Sequence, residues 1–133
     1  MEIEQPQGPT MEQKVNRMFA QVDRKNRLRQ MYVPNFTEKL SEHGFANIRS
    51  IKKEAPEWAS LDISDETHEY KEITHHYYLY CGTVLKGTDI IDGIGRMIYE
   101  TTVLEGQFRA GKNCGYFRLL DSNFIATGYT KNG

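Results

Sequence analysis

Histidine and cysteine side chains are the residues of this chain best suited to catalysis or metal binding. His75 and His76 are adjacent, and adjacent side chains of a strand point to opposite faces, so they cannot chelate one ion together. His68 and Cys81 lie near several acidic residues, but their spacing matches no metal-ligand pattern. The sequence therefore predicts no metal site, and it predicts no cofactor.

A reactive cysteine, a nucleotide-binding loop and a nucleophile elbow are three further ways in which the sequence could carry chemistry. Cys114 has only Lys112 nearby, whereas a nucleophilic cysteine needs a histidine or a strongly positive environment. Gly93-Ile94-Gly95 lacks the third glycine and the following helix of a dinucleotide fingerprint. The serines do not stand in a nucleophile-elbow pattern. We therefore predict that the protein is not an enzyme.

Composition and charge disfavour several classes of protein. The 133 residues are 38% hydrophobic and 26% charged, which predicts a folded, soluble chain. The net charge of −1 gives no global attraction for nucleic acid. The neighbouring Tyr77, Tyr78 and Tyr80 are more typical of cross-strand packing than of base stacking. No apolar run approaches the roughly 20 residues of a transmembrane helix, so we expect no transmembrane segment.

The amino-terminal residues and the cysteine count bear on localisation. The first ten residues hold two acids and no arginine, which argues against a secretory signal and against a mitochondrial transit peptide. Two cysteines, Cys81 and Cys114, do not make a disulfide framework, and they favour a reducing compartment. We therefore expect an intracellular, cytoplasmic protein.

The amino-terminal part is predicted to be helical after an extended tail. Residues 1–10 hold two prolines and form the predicted tail, and residues 11–44 form the helical segment. Thr10 is the predicted N-cap, with Gln13 as its reciprocal partner. Four apolar residues follow the spacing of one helical stripe, namely Val15, Met18, Phe19 and Val22. The stripe packs on its own domain or docks on a partner subunit, and the sequence leaves both open.

Residues 45–72 are predicted to form capping strands and an acidic loop. A short helix over residues 37–43 precedes them. Within this segment, residues 45–51 and 58–63 are predicted strands, the second because its apolar and polar residues alternate. The acidic residues 65–72 are predicted to be a loop. Together with the helices, the segment would cover one end of a stacked array.

Glycines recur at nearly regular intervals in residues 73–133. The lead glycines, Gly82, Gly106 and Gly128, are 24 (106 − 82) and 22 (128 − 106) residues apart. A second glycine follows each of the first two after five residues, at Gly87 and Gly111. A two-residue insertion in the first copy accounts for its longer spacing. A fixed period of this kind predicts a structural unit that repeats along the chain.

The unit at residues 104–120 closely resembles a MORN repeat, whose pattern is roughly Tyr-x-Gly-x-aromatic-x-x-Gly-x-x-x-Gly-x-Gly. The resemblance covers residues 78–133, with two copies and part of a third. Phe117 stands where the family's last glycine usually falls. The residues that carry the resemblance are Tyr80, Gly82, Gly87, Gly93, Gly95, Leu104, Gly106, Phe108, Gly111, Gly115 and Gly128.

The resemblance implies a fold that is mainly β, and α+β overall. The amino-terminal helices would be followed by stacked antiparallel β-hairpins of MORN type, which form an elongated open sheet. Period-two alternation places Leu104, Gly106 and Phe108 on one face, and we expect Gly106 to let a neighbouring aromatic ring lie across its strand. The predicted outward residues, where a partner would bind, are Glu105, Gln107, Arg109, Tyr116 and Arg118.

We interpret the chain as a non-enzymatic structural or interaction subunit. Proteins that resemble MORN repeats are found in cytoskeletal, ciliary and membrane-junction assemblies, and the resemblance implies protein partners of that kind. Two alternatives stay open. The chain could be an accessory module of a larger enzyme, such as a lipid kinase or methyltransferase. It could also contact anionic phospholipid head groups weakly, through Arg96, Arg109, Lys112 and Arg118.

Overall fold

A six-stranded antiparallel sheet forms the body of the protein in a computed structural model, which describes residues 8–20, 47–54, 63–99, 102–121 and 125–130. Its strands follow one another in chain order as a meander. The helices and strands, in chain order, are α1 (Met11–Ala20), α2 (Ile48–Lys53), β1 (His68–Thr74), β2 (Leu79–Leu85), β3 (Ile91–Ile98), β4 (Thr102–Arg109), β5 (Lys112–Asp121) and β6 (Ile125–Thr130). The prediction of a mainly β protein with one open sheet is confirmed.

Helix α1 begins as the sequence predicts. The Thr10 backbone N–H donates to Gln13 Oε1 at 2.9 Å, and the Gln13 N–H donates to Thr10 Oγ1 at 3.1 Å. This reciprocal pair satisfies two backbone donors that have no partner within the helix. Val15 and Phe19 are fully buried, because they pack against the chain's own sheet. Of the two readings of the stripe, the structure therefore shows the first.

Helix α2 replaces the predicted strand at residues 45–51, and that prediction is wrong over its described part. Asn47 caps the helix through a reciprocal pair, with the Ser50 N–H bound to Asn47 Oδ1 at 2.8 Å. The Ile48 N–H donates to Asn16 Oδ1 of α1 at 2.7 Å. Ile48 and Ile51 are buried in the same cluster as α1. The Asn47 cap and the burial of Ile48 and Ile51 thus favour a helix. The alternation of apolar and polar residues, which is the signal for a strand, does not indicate either feature.

Other predictions for the amino-terminal half meet the structure only in part. Residues 65–67 form a turn, but β1 then begins at His68, so the predicted acidic loop is half strand and the sheet begins before residue 73. The cross-strand pairing with β2 overrides the polar composition of this segment. Most of the predicted tail, the helix at 37–43, Val22 and residues 58–62 of the predicted strand lie outside the described residues.

Two hairpins repeat the same backbone path along the sheet. The first hairpin is β2–β3 and the second hairpin is β4–β5, and each has a register shift just after its lead glycine. The equivalent glycines have matching φ angles, 156° and 148°, 77° and 86°, and 106° and 108°; these pairs are Gly82 with Gly106, Gly87 with Gly111, and Gly93 with Gly115. The sequence period is therefore also a period of backbone conformation.

The two-residue insertion lies in the turn of the first hairpin. Val84 pairs with Ile91 there, seven residues on (91 − 84). In the second hairpin Phe108 pairs with Asn113, five residues on (113 − 108). The difference is the two residues that the glycine spacing predicted. A longer turn absorbs them without disturbing the strand register.

The sheet has two unlike faces. The helix face carries the apolar residues that pack against both helices, namely Leu79, Cys81, Ile94, Ile98, Val103 and Leu120. The open face carries a second buried cluster, Tyr80, Val84, Ile91, Met97 and Phe108, with the partly buried Ile73, Tyr78 and Leu104 around it. Within the described ranges, no helical residue belongs to the cluster on the open face.

Candidate functional site

A buried row of charges crosses the helix face. We define the charge row as Arg96, Glu105 and Arg118, which are direct cross-strand neighbours on β3, β4 and β5. One Glu105 oxygen accepts from Arg96 Nε at 2.8 Å, and the other accepts from Arg118 Nε at 3.0 Å and from Arg118 Nη2 at 2.8 Å. Arg96 and Glu105 are 1% and 0% exposed, and Arg118 is 9% exposed. Such charges are stable in the interior only when their hydrogen bonds are satisfied.

Arg96 also joins the sheet to α1. Its Nη1 donates to the carbonyl of Met18 at 3.1 Å, and its Nη2 donates to the carbonyl of Phe19 at 3.0 Å. Its guanidinium carbon lies 5.3 Å from the centre of the Phe19 ring. The last carbonyls of a helix lack partners within the helix and carry its negative dipole end. Arg96 therefore satisfies both the charge of Glu105 and the end of the helix.

The charge row corrects the predicted partner surface. Glu105 and Gln107 are fully buried and Arg118 is nearly so, so these three residues do not point to solvent as alternation predicted. They lie on the helix face of the sheet, which α1 covers. Arg109 is exposed and Tyr116 is half-buried, and Tyr116 packs on the helix-face cluster.

Gln107 has a structural role beside the charge row. Its Oε1 accepts the Tyr116 backbone N–H, and its backbone carbonyl accepts Asn113 Nδ2 at 3.0 Å. Both bonds lie next to the register shift of the second hairpin, where regular ladder bonds are interrupted. The side-chain amides of Gln107 and Asn113 thus supply hydrogen bonds beside the irregular part of the ladder.

The predicted phospholipid site is not assembled. It required four exposed cations, but Arg96 and Arg118 are buried and bind Glu105. Arg109 and Lys112, which pair across the turn of the second hairpin, are both exposed. Two surface charges at one turn are an ordinary feature of soluble proteins and define no lipid site.

A row that consists mostly of glycines crosses the open face. We define the glycine row as the five directly paired positions on β2 to β6, namely Gly82, Gly95, Gly106, Phe117 and Gly128. Four of the five have no side chain, so large neighbours can lie flat against the backbone. Aromatic rings lie over Gly95 and Gly128, whereas a Cβ atom added at Gly106 would meet the backbone of Tyr116 and Phe117. Close approach of the backbone, and not the ring that the sequence predicted, thus requires a glycine at position 106.

In the first hairpin, Tyr80 lies over the glycine row. A Cβ atom added at Gly95 would come within 2.6 Å of the Tyr80 ring. The Tyr80 hydroxyl donates to the Thr83 carbonyl at 2.8 Å, and its ring meets Phe108 edge-on with centroids 5.5 Å apart. Tyr80 is fully buried, and this burial raises the pKa of its hydroxyl well above the usual value.

In the second hairpin, the aromatic ring belongs to the other strand. Leu104 stands in place of Tyr80, and Phe117 stands in place of Gly95. The Phe117 ring lies over Gly128 on β6, where an added Cβ atom would be 3.1 Å from its Cε1. Gly95 and Phe117 do not have positive φ, so the backbone permits a side chain at this position. The departure from the repeat pattern at Phe117 thus has a steric explanation.

Part of the apolar surface of the open face remains accessible to solvent. Ile73, Leu104 and Leu119 belong to one cross-strand row with the buried Tyr80 and Met97. These three residues are half-buried, and so is Phe117 in the neighbouring row. Leu104, Leu119 and Phe117 thus form a contiguous set of partly exposed apolar side chains on β4 and β5, and Ile73 lies apart from them on β1.

The described histidines, His68, His75 and His76, make packing contacts or hydrogen bonds. The two ring nitrogens of His68 lie 2.7 Å from Thr67 Oγ1 and 2.8 Å from Asp92 Oδ1. Asp92 also accepts the Ala110 N–H at 3.0 Å, so this chain of bonds links β1, β3 and the turn of the second hairpin. The His75 ring stacks on Tyr78 at 4.3 Å. Among the residues that the structure describes, no three potential ligands cluster as a metal site would require.

A cleft of about 490 Å³ lies between the amino terminus of α1 and the start of β1. Charges of both signs line it, among them Lys14, Asp65, Glu69 and Lys86. Lys86 Nζ donates to the Asp65 carbonyl at 2.9 Å, and Glu69 accepts the Gly87 N–H. Lys86 and Glu69 are thus engaged with neighbouring backbone groups, and charges of both signs in the cleft do not present one chemistry to a ligand.

One feature of the sequence could have indicated the charge row. Arg96 and Arg118 occupy equivalent positions in the two copies, and Glu105 precedes the second lead glycine as Cys81 precedes the first. Once the strand register is known, Glu105 lies between the two arginines in one cross-strand row. That arrangement predicts ion pairs between them. The contacts of Arg96 with α1 had no signal, because they join residues 77 and 78 positions apart.

Fold and site together define a mainly β protein whose two hairpins repeat one backbone path. The described helices pack on one face of its sheet, and no described helix packs on the other. Comparison of the chain with protein-family models, with curated proteins and with solved structures finds no match. Neither of the described helices, α1 and α2, has the length and apolar character that a membrane span needs.

Proposed function

We propose that this chain is a non-enzymatic interaction subunit of MORN-repeat type, which docks in a larger intracellular assembly of cytoskeletal or ciliary kind. The open face of the sheet is its docking surface. The proposal keeps the class of function that the sequence indicated, but it moves the contact from the predicted outward residues to the other side of the sheet.

The open face is the observation that carries the proposal. It bears partly exposed apolar side chains in neighbouring positions, and no described helix packs on it. Monomeric soluble proteins seldom expose contiguous apolar patches, and larger ones commonly mark binding sites. A partner that covers Leu104 and Leu119 would extend an existing core instead of creating a new one.

The repeat geometry supports the MORN assignment within this proposal. Three pairs of glycines have closely matching φ angles in the two hairpins, as expected of copies of one unit. Units of this kind stack through their neighbours and form extended surfaces that suit binding to other proteins.

The stripe of α1 no longer supports docking. Val15 and Phe19 are fully buried against the sheet and Met18 is 9% exposed. Acidic substitutions at these positions would therefore unfold the chain, and loss of a partner in such a variant would say nothing about an interface.

The test is recovery of partners with variants of the open face. In the chain expressed in cells, Leu104→Glu with Leu119→Glu places two charges at directly paired positions of the face. The matched control is Ile90→Glu, since Ile90 is 45% exposed in the turn of the first hairpin. Size exclusion of the lysate and quantitative mass spectrometry of co-purified proteins measure incorporation into an assembly.

We expect the wild type and the Ile90→Glu control to elute with the same large assembly, and the paired variant to elute alone while it keeps a cooperative thermal unfolding transition. Elution of the wild-type chain with no other protein would contradict the proposal. So would equal recovery of partners by all three chains.

A further inference from the structure

The two edge strands of the sheet differ in charge. Strand β1 carries Glu69, Lys71 and Glu72, whereas β6 has no charged residue in Ile125–Thr130. Both are edges of the described sheet, because each pairs with only one of the strands that the structure describes. Soluble proteins protect an edge from further pairing with charges, above all with lysine. By that criterion β1 is protected and β6 is not.

The chemistry of β6 suits pairing with another strand. Its segment has no proline, so no backbone donor is missing from the ladder. Thr127 and Tyr129 are exposed, with Tyr129 at 52%. Threonine and tyrosine are favoured in strands and form favourable cross-strand pairs.

We infer that the outer edge of β6 pairs antiparallel with β6 of a second copy of this chain, which joins two six-stranded sheets into one. This inference rests on the proposed function, because it assigns the second protein surface of an interaction subunit. The pairing leaves the open face of each copy accessible to the partner proposed above.

A second copy fits this edge better than the other edge of the same protein does. Pairing of β6 with β6 brings together two uncharged strands, so no charge is placed opposite a like charge. It also closes after two copies, since one strand edge serves both chains. Pairing of β6 with β1 would add a further edge with every copy and would form open filaments.

A two-fold axis perpendicular to the sheet keeps α1 of both copies on the same side. Residues that face each other across such a pair lie on the same face of the sheet, so Thr127 and Tyr129 meet their counterparts on the helix face. Charges placed at these two positions would therefore stand opposite each other in the dimer.

Charge exchange at the edge tests the inference. One variant carries Thr127→Lys with Tyr129→Lys, and the other carries Thr127→Glu with Tyr129→Glu. The control is Thr74→Lys, which places the same new charge at an exposed threonine of β1. Analytical ultracentrifugation of the whole purified chain measures the mass, and circular dichroism shows whether each variant is folded.

We expect the wild type and the Thr74→Lys control to have twice the chain mass of 15.4 kDa. The Lys variant and the Glu variant should each be monomers, and an equimolar mixture of the two should recover the double mass. The recovery in the mixture shows that both variants are folded and that the charged positions face each other.

Three outcomes would overturn the inference. They are a wild-type chain that is monomeric at every concentration tested, a Lys variant that stays dimeric, and a mixture that does not re-form the dimer. If the wild type is monomeric alone but still enters the large assembly in cells, β6 does not bind a second copy, and the proposed function stands. A dimer that recovers no other protein in cells supports this inference and contradicts the proposed function.

Discussion

The first and second hairpins share a backbone path but fill it with different side chains. Their glycine φ angles match closely, and their register shifts fall at equivalent places. The aromatic ring that covers the glycine row comes from the first strand of the first hairpin, as Tyr80, and from the second strand of the second hairpin, as Phe117. The two hairpins thus share their positive-φ glycines and differ in which strand supplies the ring.

The helix face shows the same contrast between shared geometry and different chemistry. Arg96 and Arg118 are equivalent residues, but Cys81 of the first hairpin corresponds to Glu105 of the second. The single carboxylate binds both guanidinium groups. The charge row is therefore asymmetric: Arg96 of the first hairpin reaches α1, and Glu105 of the second hairpin holds it in place.

The largest loss of stability is expected from substitutions of the lead glycines. Gly106→Val should destabilise the chain by about 4 kcal/mol or more, because an added Cβ atom would lie 2.8 Å from Phe117 Cα, which cannot move freely. Gly82→Val, at the equivalent position, would meet the Ile94 carbonyl at 2.6 Å and should be equally severe. Thermal melting of both variants measures whether the two hairpins are equivalent here.

The turn glycines are the matched control for that prediction. Gly87 and Gly111 also have positive φ, but an added Cβ atom would meet nothing within 4 Å. Alanine there should cost only about 1–2 kcal/mol, the strain of a left-handed backbone. If Gly106→Val melted at the wild-type temperature, the close approach at the glycine row would be refuted.

Glu105 should show the strongest difference between the hairpins. Glu105→Ala leaves two buried guanidinium groups without their shared carboxylate, and we expect a loss of about 3–5 kcal/mol in the free energy of unfolding. Cys81→Ala, at the equivalent position of the first hairpin, removes only a thiol and should cost about 1 kcal/mol. Urea unfolding of both variants provides the comparison. Equal losses would mean that the charge row contributes nothing beyond packing.

The two ring arrangements should be partly interchangeable. Tyr80→Leu gives the first hairpin the residue of the second and should cost about 2–4 kcal/mol, because it leaves a cavity over Gly95. Adding Gly95→Phe supplies a ring that can lie over Gly106, which pairs directly with Gly95. We expect the double variant to be more stable, by at least about 1 kcal/mol, than the sum of the two single losses in the free energy of unfolding predicts.

Tyr80→Phe is the control for the ring exchange, since it removes only the hydroxyl that donates to Thr83. It should cost about 1 kcal/mol, the value of one hydrogen bond. Strict additivity of Tyr80→Leu and Gly95→Phe would show that the two hairpins are not alternative solutions of one packing problem.

The smallest change in stability is expected from the ionisation of buried tyrosines in alkaline solution. Burial raises the pKa of the Tyr80 hydroxyl, and more weakly that of the half-buried Tyr116. An acid whose pKa is higher in the folded than in the unfolded chain stabilises the fold below the unfolded pKa of about 10. That stability is lost as the pH rises through the folded pKa, because the unfolded chain ionises first.

Urea unfolding across this pH range checks the prediction. The wild type should lose stability above the unfolded tyrosine pKa, and Tyr80→Phe should reduce that loss more than Tyr116→Phe does. A wild-type stability that is constant through strongly alkaline pH would contradict the assigned burial of Tyr80.

Much of the repeat region could be predicted from the sequence. Glycine spacing located both hairpins and the two-residue insertion, because positive φ and close packing restrict a position to one residue type. It did not predict that the close neighbour of Gly106 is the backbone of β5 and that the ring of Tyr80 lies over Gly95. Thr10 and Gln13 predicted the start of α1, since a capping box needs only residues three positions apart. Polar composition misled the prediction at 65–72, because pairing with β2 makes a strand from His68 onward, although its residues are mostly polar or charged.

The candidate site shows where sequence reasoning ends. Local alternation placed Glu105 and Arg118 on the face opposite Phe108, and that separation of faces was correct. Alternation does not tell which face meets solvent, so both residues were assigned to a partner. The burial of Glu105 and Arg118 depends on α1. This helix covers the charge row, and Arg96 binds the carbonyls of Met18 and Phe19.

The sequence by itself determined the glycine period and the two hairpins, because each depends on contacts between residues close along the chain. The tertiary structure alone decided that a glutamate and two arginines lie inside while leucines of the opposite face remain partly exposed. Burial is a property of the whole fold, since a side chain is covered only when a distant segment packs on it. An Arg–Glu–Arg row is stable in the interior here because α1 offers carbonyl acceptors and the negative end of its dipole.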